Sequence, residues 1–227
     1  MKMKHITILF VSLSLLCSCS KINTKPEIIV EPPQPIEVRL DSIQEGEIYN
    51  VKIGDAAEKV YADLQFFAKG VKQKPYLAIT GFLNDRIEDL EGRIPLYGSL
   101  IFDQRPSAKN GGQIYFEGNT IKSIYSRDGN KLTTWPQGSS SALQVGDRIT
   151  EIYAKLIKIN GDKRFRSLFD YIGMFEKNLE TGYDPSQEKS DLWQFNFSIN
   201  KKQLVRLDLV FEEGKLVKVR SRYERYL

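Results

Sequence analysis

The chain has 227 residues, of which 27% are charged and 41% are hydrophobic, and its formal net charge is +4. A chain of this length buries enough apolar surface to fold without disulfide bonds. Positive and negative residues are interspersed and form no strongly basic patch, so nucleic acid is excluded as the expected partner.

Residues 1–18 resemble a lipoprotein signal peptide. Two lysines precede an apolar run over 6–16. That run has about 11 residues whereas a membrane-spanning helix needs about 20, so its length favours a cleaved signal. The end, Leu16-Cys-Ser-Cys, resembles a lipobox, with Ser18 before the cleavage site and Cys19 as the lipidated residue. The alternative is an ordinary secretory signal with two incidental cysteines.

Cleavage before Cys19 changes the chemistry that is available. It removes the only histidine, His5, and the other cysteine, Cys17. The mature chain then has no imidazole and no free thiol, which excludes a Ser-His-Asp or Cys-His nucleophile and the usual zinc ligands. The net charge falls from +4 to +2, because two lysines and no acids leave with the signal. We expect no metal and no other cofactor.

Residues 19–47 are expected to form a tether. They carry four prolines and few aromatic residues. Proline fixes φ and lacks a backbone donor, so this stretch is predicted to be extended or disordered and to hold the folded part away from a membrane. Ser-Lys-Ile-Asn follows Cys19 and resembles neither an inner-membrane retention signal nor an acidic surface-export signal. This implies an anchor on the periplasmic face of the outer membrane, provided that the host is Gram-negative.

The remaining sequence contains two pairs of matching segments. Residues 51–64 align with 143–156 without a gap, and 5 of the 14 positions are identical. Residues 116–124 align with 211–219 at nearly the same offset. Two matches in the same order indicate a duplication, so we expect two tandem repeats, over 48–137 and 138–227.

Each repeat is expected to open with a helix. Asp55 and Asp147 follow a glycine and suit the N-cap position. Apolar residues then recur at helical spacing: Val60, Tyr61, Leu64 and Phe67 in repeat 1, and Ile149, Ile152, Tyr153 and Leu156 in repeat 2. A second helix is predicted in repeat 2, capped by Asp162 and with an apolar stripe from Phe165 to Leu179.

Strands are expected after the helices. Residues 191–200 alternate apolar and polar side chains, which places Trp193 in the core, and 205–211 and 215–223 follow around a turn at Glu213-Gly214. Repeat 1 offers strands over 76–83, 96–103, 113–117 and 120–126. This order predicts an α+β fold in which a helix or helix pair opens each repeat and an antiparallel sheet of three or four strands follows.

These motifs resemble the β-lactamase-inhibitor-protein-like superfamily. The shared features are Gly-Asp before a helix, Val/Ile-Tyr and Leu within it, and Phe-x-x-Gly-Lys-Leu-Val over 211–217. That group includes the single-copy SmpA/OmlA-type lipoproteins of outer-membrane β-barrel assembly and the two-copy secreted β-lactamase inhibitor. This chain differs from the first by its duplication, and from the second by its lipid and its lack of disulfides. The resemblance implies a sheet surface that holds another protein.

Six residues are the candidates for protein binding: Tyr97, Trp135, Arg206, Lys218, Arg220 and Arg222. Trp135 either fills the seam between the repeats or is exposed. The four basic residues form either a stripe that faces acidic protein or lipid headgroups, or a solvated face balanced by Asp208 and Glu224.

An enzyme is not expected. Glu88, Asp89 and Glu91 are carboxylates of the kind that glycoside cleavage uses. They lie between Arg86 and Arg93 in an expected exposed loop, which favours a solvated charge run. The serines over 139–141 lack a positioned base, and Asn110-Gly-Gly is typical of a hairpin turn.

The sequence therefore predicts a non-catalytic envelope lipoprotein that binds another envelope protein in assembly or scaffolding. One alternative is an inhibitor or protective factor that acts on a hydrolase. A weaker alternative is a cell-wall hydrolase that uses Glu88 or Asp89.

Overall fold

The computed structural model describes residues 33–80, 83–84, 86–104 and 110–227. The signal peptide, Ser18, Cys19 and the first part of the tether lie outside these residues, so lipidation stays a prediction. The described part is an α+β fold with two α-helices and several antiparallel sheets, as the sequence predicts. No helix in this part of the chain is long and apolar enough to cross a membrane.

The helices are α1 (Ala57–Gly70) and α2 (Ile149–Gly161), and short 3₁₀ helices cover Ile87–Leu90, Ile94–Leu96, Arg166–Phe169 and Pro185–Lys189. The strands are, in chain order, β1 (Glu37–Ile43), β2 (Glu47–Ile48), β3 (Val51–Lys52), β4 (Tyr76–Thr80), β5 (Leu83–Asn84), β6 (Ser99–Asp103), β7 (Gly112–Glu117), β8 (Thr120–Ser126), β9 (Lys131–Leu132), β10 (Thr134–Trp135), β11 (Leu143–Gln144), β12 (Tyr171–Met174), β13 (Leu192–Asn200), β14 (Gln203–Glu212) and β15 (Lys215–Arg225).

Two antiparallel sheets carry most of the strands. One has the order β1-β15-β14-β13-β4, and the other has the order β5-β12-β6-β7-β8-β9. One face of each sheet contributes alternate apolar side chains to a core that also contains the apolar sides of the helices: Val60, Tyr61, Leu64, Ile114, Ile124, Ile152, Leu156, Phe195 and Leu207. The other face of each sheet carries the residues that alternate with these core residues along the strands. It is called the open face below.

The last three strands agree with the alternation in the sequence. Trp193 is fully buried and its ring lies 4.4 Å from that of Phe211, which confirms its assignment to the core. The turn between β14 and β15 falls at Glu213 and Gly214, which both have positive φ angles. A left-handed pair of this kind matches the twist of a two-residue hairpin, so the glycine is where the turn requires it.

The predicted N-caps are wrong. The helices begin two residues after Asp55 and Asp147, and neither helix has a side-chain cap. In both helices a backbone carbonyl of a distant hairpin turn accepts the first N–H group in place of a side-chain cap. The Ala57 N–H donates to Gly214 O and the Ile149 N–H donates to Asn119 O, each at 2.8 Å. The second helix that was predicted in repeat 2 is also not formed in the described residues.

In repeat 2 the second helix was predicted to follow Asp162. Asp162 is the C-cap of α2, and its carboxylate instead accepts hydrogen bonds from Arg164. The apolar stripe divides between a 3₁₀ helix, Arg166–Phe169, and the strand β12. Ile172 and Met174 pair with β6 and are two residues apart, which is the spacing of one face of a strand. This segment therefore forms a strand and not the predicted helix.

The two halves of the chain exchange the first strand that follows each α-helix. β4 from the first half pairs with β13, and β12 from the second half pairs with β6. Each sheet therefore contains strands of both halves, and residues 34–227 form one compact unit. The arrangement predicted from the sequence, in which each repeat forms a sheet of its own, is not confirmed.

The matching sequence segments make equivalent hydrogen bonds between the two halves of the chain. Gly54 N–H donates to Leu216 O and Gly146 N–H donates to Ile121 O, at 2.7 and 2.9 Å. The returning bonds, Leu216 N–H to Asp55 O and Ile121 N–H to Asp147 O, are both 2.9 Å. Both glycines have a φ of +93°, which side chains rarely adopt, so this docking geometry requires glycine.

The tether prediction is wrong for its last part. β1 lies within the predicted tether, yet it pairs with β15 over Glu37–Ile43. The alternation of Val38 and Leu40 with charged residues and the partly buried Ile43 allow the strand to join the sheet. Any tether therefore ends before Glu37.

Candidate binding surface

The open face of the two sheets is polar and aromatic. On the five-stranded sheet it carries Gln194 and Asn196 beside Asp208 and Arg206. On the six-stranded sheet it carries Gln113, Tyr115, Ser123 and Tyr125, which are all partly exposed. Residues of the same strands that point the other way, such as Ile114 and Ile124, are fully buried. The strand period thus separates the core from a surface that is available for contact.

A groove of about 770 Å³ lies on this face beside β7 and β8. Tyr115 and Tyr125 line it, and their rings meet edge to face with centroids 5.9 Å apart. Glu176, Lys74 and Arg127 add charged groups to its lining. Tyrosine combines a large apolar ring with a hydroxyl and loses little side-chain entropy on binding, so such a lining suits contact with another protein.

Glu176, in the second half of the chain, is positioned by backbone contacts with two segments of the first half. Its carbonyl accepts from Gly98 N–H at 2.5 Å, and its backbone pairs with Ala78 of β4. A Cβ atom at position 98 would lie 3.1 Å from the Glu176 side chain, so Gly98 leaves the room that this side chain occupies. The junction of the two sheets therefore fixes one carboxylate in the groove.

The electrostatics of the groove follow from partial burial. Burial raises the pKa of the Glu176 carboxyl, and nearby Lys74 opposes the shift. Burial also raises the pKa of Tyr76 and of Tyr115, with a smaller contribution from the charge of Glu176 in each case. The groove is therefore amphipathic, because partly buried tyrosine rings lie beside the carboxylate of Glu176.

The four predicted basic residues share the open face of the five-stranded sheet. Arg206 lies directly opposite Arg222 on the neighbouring strand, and Lys218 and Arg220 follow along it. Acids of the same face offset them: Arg220 lies 3.4 Å from Asp208, and Arg222 lies 2.5 Å from Glu224. Hydrogen bonding from Tyr226, together with Arg222, lowers the pKa of Glu224. Two of the four basic residues, Arg220 and Arg222, are thus paired with acids of the same face.

Tyr97 and Trp135 are not at the surface. Tyr97 is 1% exposed and donates a 2.6 Å hydrogen bond from its hydroxyl to Asp184. Trp135 is 2% exposed and stacks on Phe102, with ring centroids 4.9 Å apart. Their predicted role in binding a partner is wrong, because both rings are used in the core. Of the two alternatives for Trp135, the structure agrees with the buried one, since its ring packs against Phe102 of the first half and Phe169 of the second half.

A buried polar cluster surrounds Tyr97. Asp184 accepts hydrogen bonds from Arg93 at 2.8 and 3.0 Å as well as from the tyrosine hydroxyl. Burial opposes the charge of Asp184, but these bonds outweigh it and lower the pKa of the carboxyl. The cluster holds Pro185–Lys189 against the sheet, since Asp184 is also the N-cap of that 3₁₀ helix.

Lys177 is a further charged group in this region and is 2% exposed. Its Nζ donates to Tyr61 OH at 2.9 Å, Thr181 Oγ1 at 2.7 Å and Gly182 O at 2.8 Å. Burial lowers the pKa of Lys177 to about 8, although the charge of Asp184 acts in the opposite direction. The cluster ties α1 to the segment that follows β12.

The carboxylates of the hydrolase alternative lie at the surface. Glu88 and Glu91 are exposed and Asp89 is partly exposed, in and just after a 3₁₀ helix. Glu88 lies 3.9 Å from Arg86. In the described part of the chain, no group of three or more His, Cys, Asp and Glu side chains is placed to hold a metal ion.

The groove residues are not among those predicted from the sequence. Tyr115 and Tyr125 alternate with buried isoleucines, so the period of their strands was a sufficient signal for the open face. Glu176 gave no such signal, because its neighbours were assigned to a helix and its partners come from distant positions.

Comparisons of the chain with protein-family models, with curated proteins and with solved structures found no match.

Proposed function

We propose that this chain is a non-catalytic, lipid-anchored envelope protein that holds another protein against the open face of its sheets. The groove that Tyr115, Tyr125 and Glu176 line is the observation that carries the proposal. Tyrosines with partly exposed rings are enriched where proteins meet, whereas scattered surface residues are usually charged. The partner is another envelope protein, which this chain assists in assembly or scaffolding.

The proposal includes a duplicated origin and the resemblance to the β-lactamase-inhibitor-protein-like superfamily. The equivalent hydrogen bonds of Gly54 and Gly146 support a duplication, because matched residues make matched contacts. The identical φ of +93° supports it as well. In that group the sheet surface faces the bound protein, which favours the open face as the contact surface here.

The proposed location on the outer membrane is supported by the sequence of the predicted signal peptide and lipobox. Lipidation of Cys19 would anchor the chain to the periplasmic face of the outer membrane. Cys19→Ser is expected to move the protein from the membrane fraction to the soluble fraction, and retention in the membrane fraction would contradict the anchor.

Site-specific photocrosslinking in intact cells tests the binding surface. A photoreactive amino acid at Tyr115 or Tyr125 is expected to give one discrete adduct with an envelope protein. Phe66 is the matched control, because it is an aromatic residue of α1 with 69% exposure on a helix rather than on the open face. Adducts at Phe66 with equal yield, or none at the tyrosines, would overturn the proposal.

A second measurement separates scaffolding from inhibition. Stoichiometric co-purification of the lipidated protein with an outer-membrane complex supports a scaffold. Inhibition of a soluble hydrolase by the domain without its lipid would replace the scaffold with an inhibitor. Tyr115→Ala is expected to weaken either activity, since both use the open face.

A further inference from the structure

The edge strand β1 has one strand neighbour, β15, among the residues that the structure describes. Its seven residues pair with β15 without a register shift, and the five from Val38 to Ser42 are exposed. Val38 is 42% exposed and Leu40 is 72% exposed, and both lie on the open face. A flat edge with unpaired backbone groups and exposed apolar side chains is a template for another strand.

The other sheet edges in the described residues are protected. β5 and β9, at the edges of the six-stranded sheet, have two residues each. The outer edge of β4 is met by the segment after β12, where Ala78 pairs with Glu176 and Lys177 N–H donates to Leu77 O at 2.8 Å. Short and covered edges are the usual protections. β1 has neither, and it contains no proline or lysine.

The sequence of β1 is complementary to itself. Two copies related by a two-fold axis pair antiparallel, and residues that face each other must lie on the same face of the sheet. A register centred on Leu40 therefore places Arg39 opposite Asp41 of the second copy, twice. Centring on Arg39 or on Asp41 instead places like charges opposite each other, which is destabilising.

A register centred on Val38 also avoids like charges, but it fits less well. It places Asp41 opposite Pro35 and opposes Arg39 with Glu37. The Glu37 carboxylate already accepts a 2.7 Å bond from Arg225 and lies 3.2 Å from Arg39 of its own chain, so this register adds no new ion pair. Among the described residues, Asp41 is in no ion pair, and its carboxylate accepts only the backbone N–H of Ser42. In the register centred on Leu40, all seven residues of β1 pair with the second copy, and Asp41 faces Arg39 of that copy.

We propose that two copies of this chain associate through β1, with Leu40 at the two-fold axis and Arg39 of each copy opposite Asp41 of the other. The two five-stranded sheets then continue into one sheet of ten strands, and the open faces of both copies point to the same side. The apolar side chains of Leu40 contact each other across the axis. This inference does not depend on the identity of the protein held by the groove.

Sedimentation equilibrium of the full-length protein in density-matched detergent tests the proposal. The wild type is expected to reach twice the mass of the chain as concentration rises. Arg39→Asp and Asp41→Arg each convert two attractive pairs into two repulsive ones, so each is expected to raise the dimer dissociation constant by about tenfold. The double variant, R39D with D41R, restores opposite charges and is expected to return the constant to near the wild-type value.

Hydrogen exchange provides the second readout and shows that the variants are folded. Amide hydrogens over Val38–Ser42 are expected to gain protection with concentration, while those of α1 stay constant. A monomer at every concentration, a dimer that Asp41→Arg leaves unchanged, or a double variant as weak as the single ones would overturn the proposal.

Discussion

Lys177 gives the buried polar cluster a measurable signature in the stability of the protein. Its Nζ is buried among Tyr61, Thr181 and Gly182, and burial lowers its pKa to about 8 from the ordinary value of 10.5. Between these two values the unfolded chain binds more protons at this residue than the folded chain does. Stability therefore rises with pH across that window, and the cost of the buried charge is fully present below it.

The magnitude follows from the linkage relation. One pKa unit corresponds to about 1.4 kcal/mol, so the free energy of unfolding is expected to rise by about 1 kcal/mol from pH 7 to pH 9. The rise ends near pH 10, because burial raises the pKa of Tyr61 to about 12. A raised tyrosine pKa stabilises the fold below the ordinary value of 10.0 and loses that contribution as the pH rises above it.

Urea unfolding of the wild type and of Lys177→Met at several pH values measures this effect. Methionine keeps the apolar stem and removes the titrating group, so the rise is expected to be absent from the variant. Lys122→Met is the control, because Lys122 lies at the surface with a 57% exposed side chain, and it is expected to keep the rise. Parallel pH profiles for the wild type and Lys177→Met would refute the reasoning.

Four further substitutions test the fold. Asp184→Asn removes the buried carboxylate that accepts hydrogen bonds from Arg93 and Tyr97, and it is expected to cost about 3 kcal/mol at pH 7. Because the pKa of Asp184 is lowered, the urea-measured difference from wild type should shrink as the pH falls below about 4. Gly54→Ala and Gly146→Ala place a side chain at a φ of +93°, so calorimetry should show similar losses of about 1–2 kcal/mol for the two, and a loss at only one would contradict the equivalence. Trp135→Ala is expected to cost about 4 kcal/mol in urea unfolding, and a cost below 1 kcal/mol would show that the indole is not a core residue.

Much of the fold follows from local patterns in the sequence. The alternation over 191–223 identified three strands and their turn, and helical spacing located both helices. These strands and helices are determined by residues close together along the chain, so the periodicity of apolar residues predicts them. The N-caps at Asp55 and Asp147 failed for the opposite reason, because the groups that satisfy the helix N–H donors come from a hairpin about 30 residues or more away.

The region from Phe165 to Leu179 shows a second limit. Its apolar residues are dense enough to match a helical stripe, yet Ile172 and Met174 belong to a strand whose partners lie in the first half of the chain. A short apolar run is compatible with both periods, and only the neighbouring strand decides between them. The same error hid Glu176, so the groove could be predicted only as far as Tyr115 and Tyr125.

The exchange of β4 and β12 leads to a prediction about how the chain folds. A fragment over 34–138 retains α1 and β4 but lacks the hairpin and the strand against which they pack, and a fragment over 139–227 has the reciprocal defect. Neither fragment is therefore expected to show a cooperative unfolding transition by circular dichroism, whereas an equimolar mixture should regain one and sediment as a complex. A cooperative transition in either fragment alone would mean that each half forms its own core. If complementation is observed, the two halves are stable only through each other. This explains why the Gly-Asp motif and the hairpin motif occur together in both halves: each motif docks on its counterpart in the opposite half.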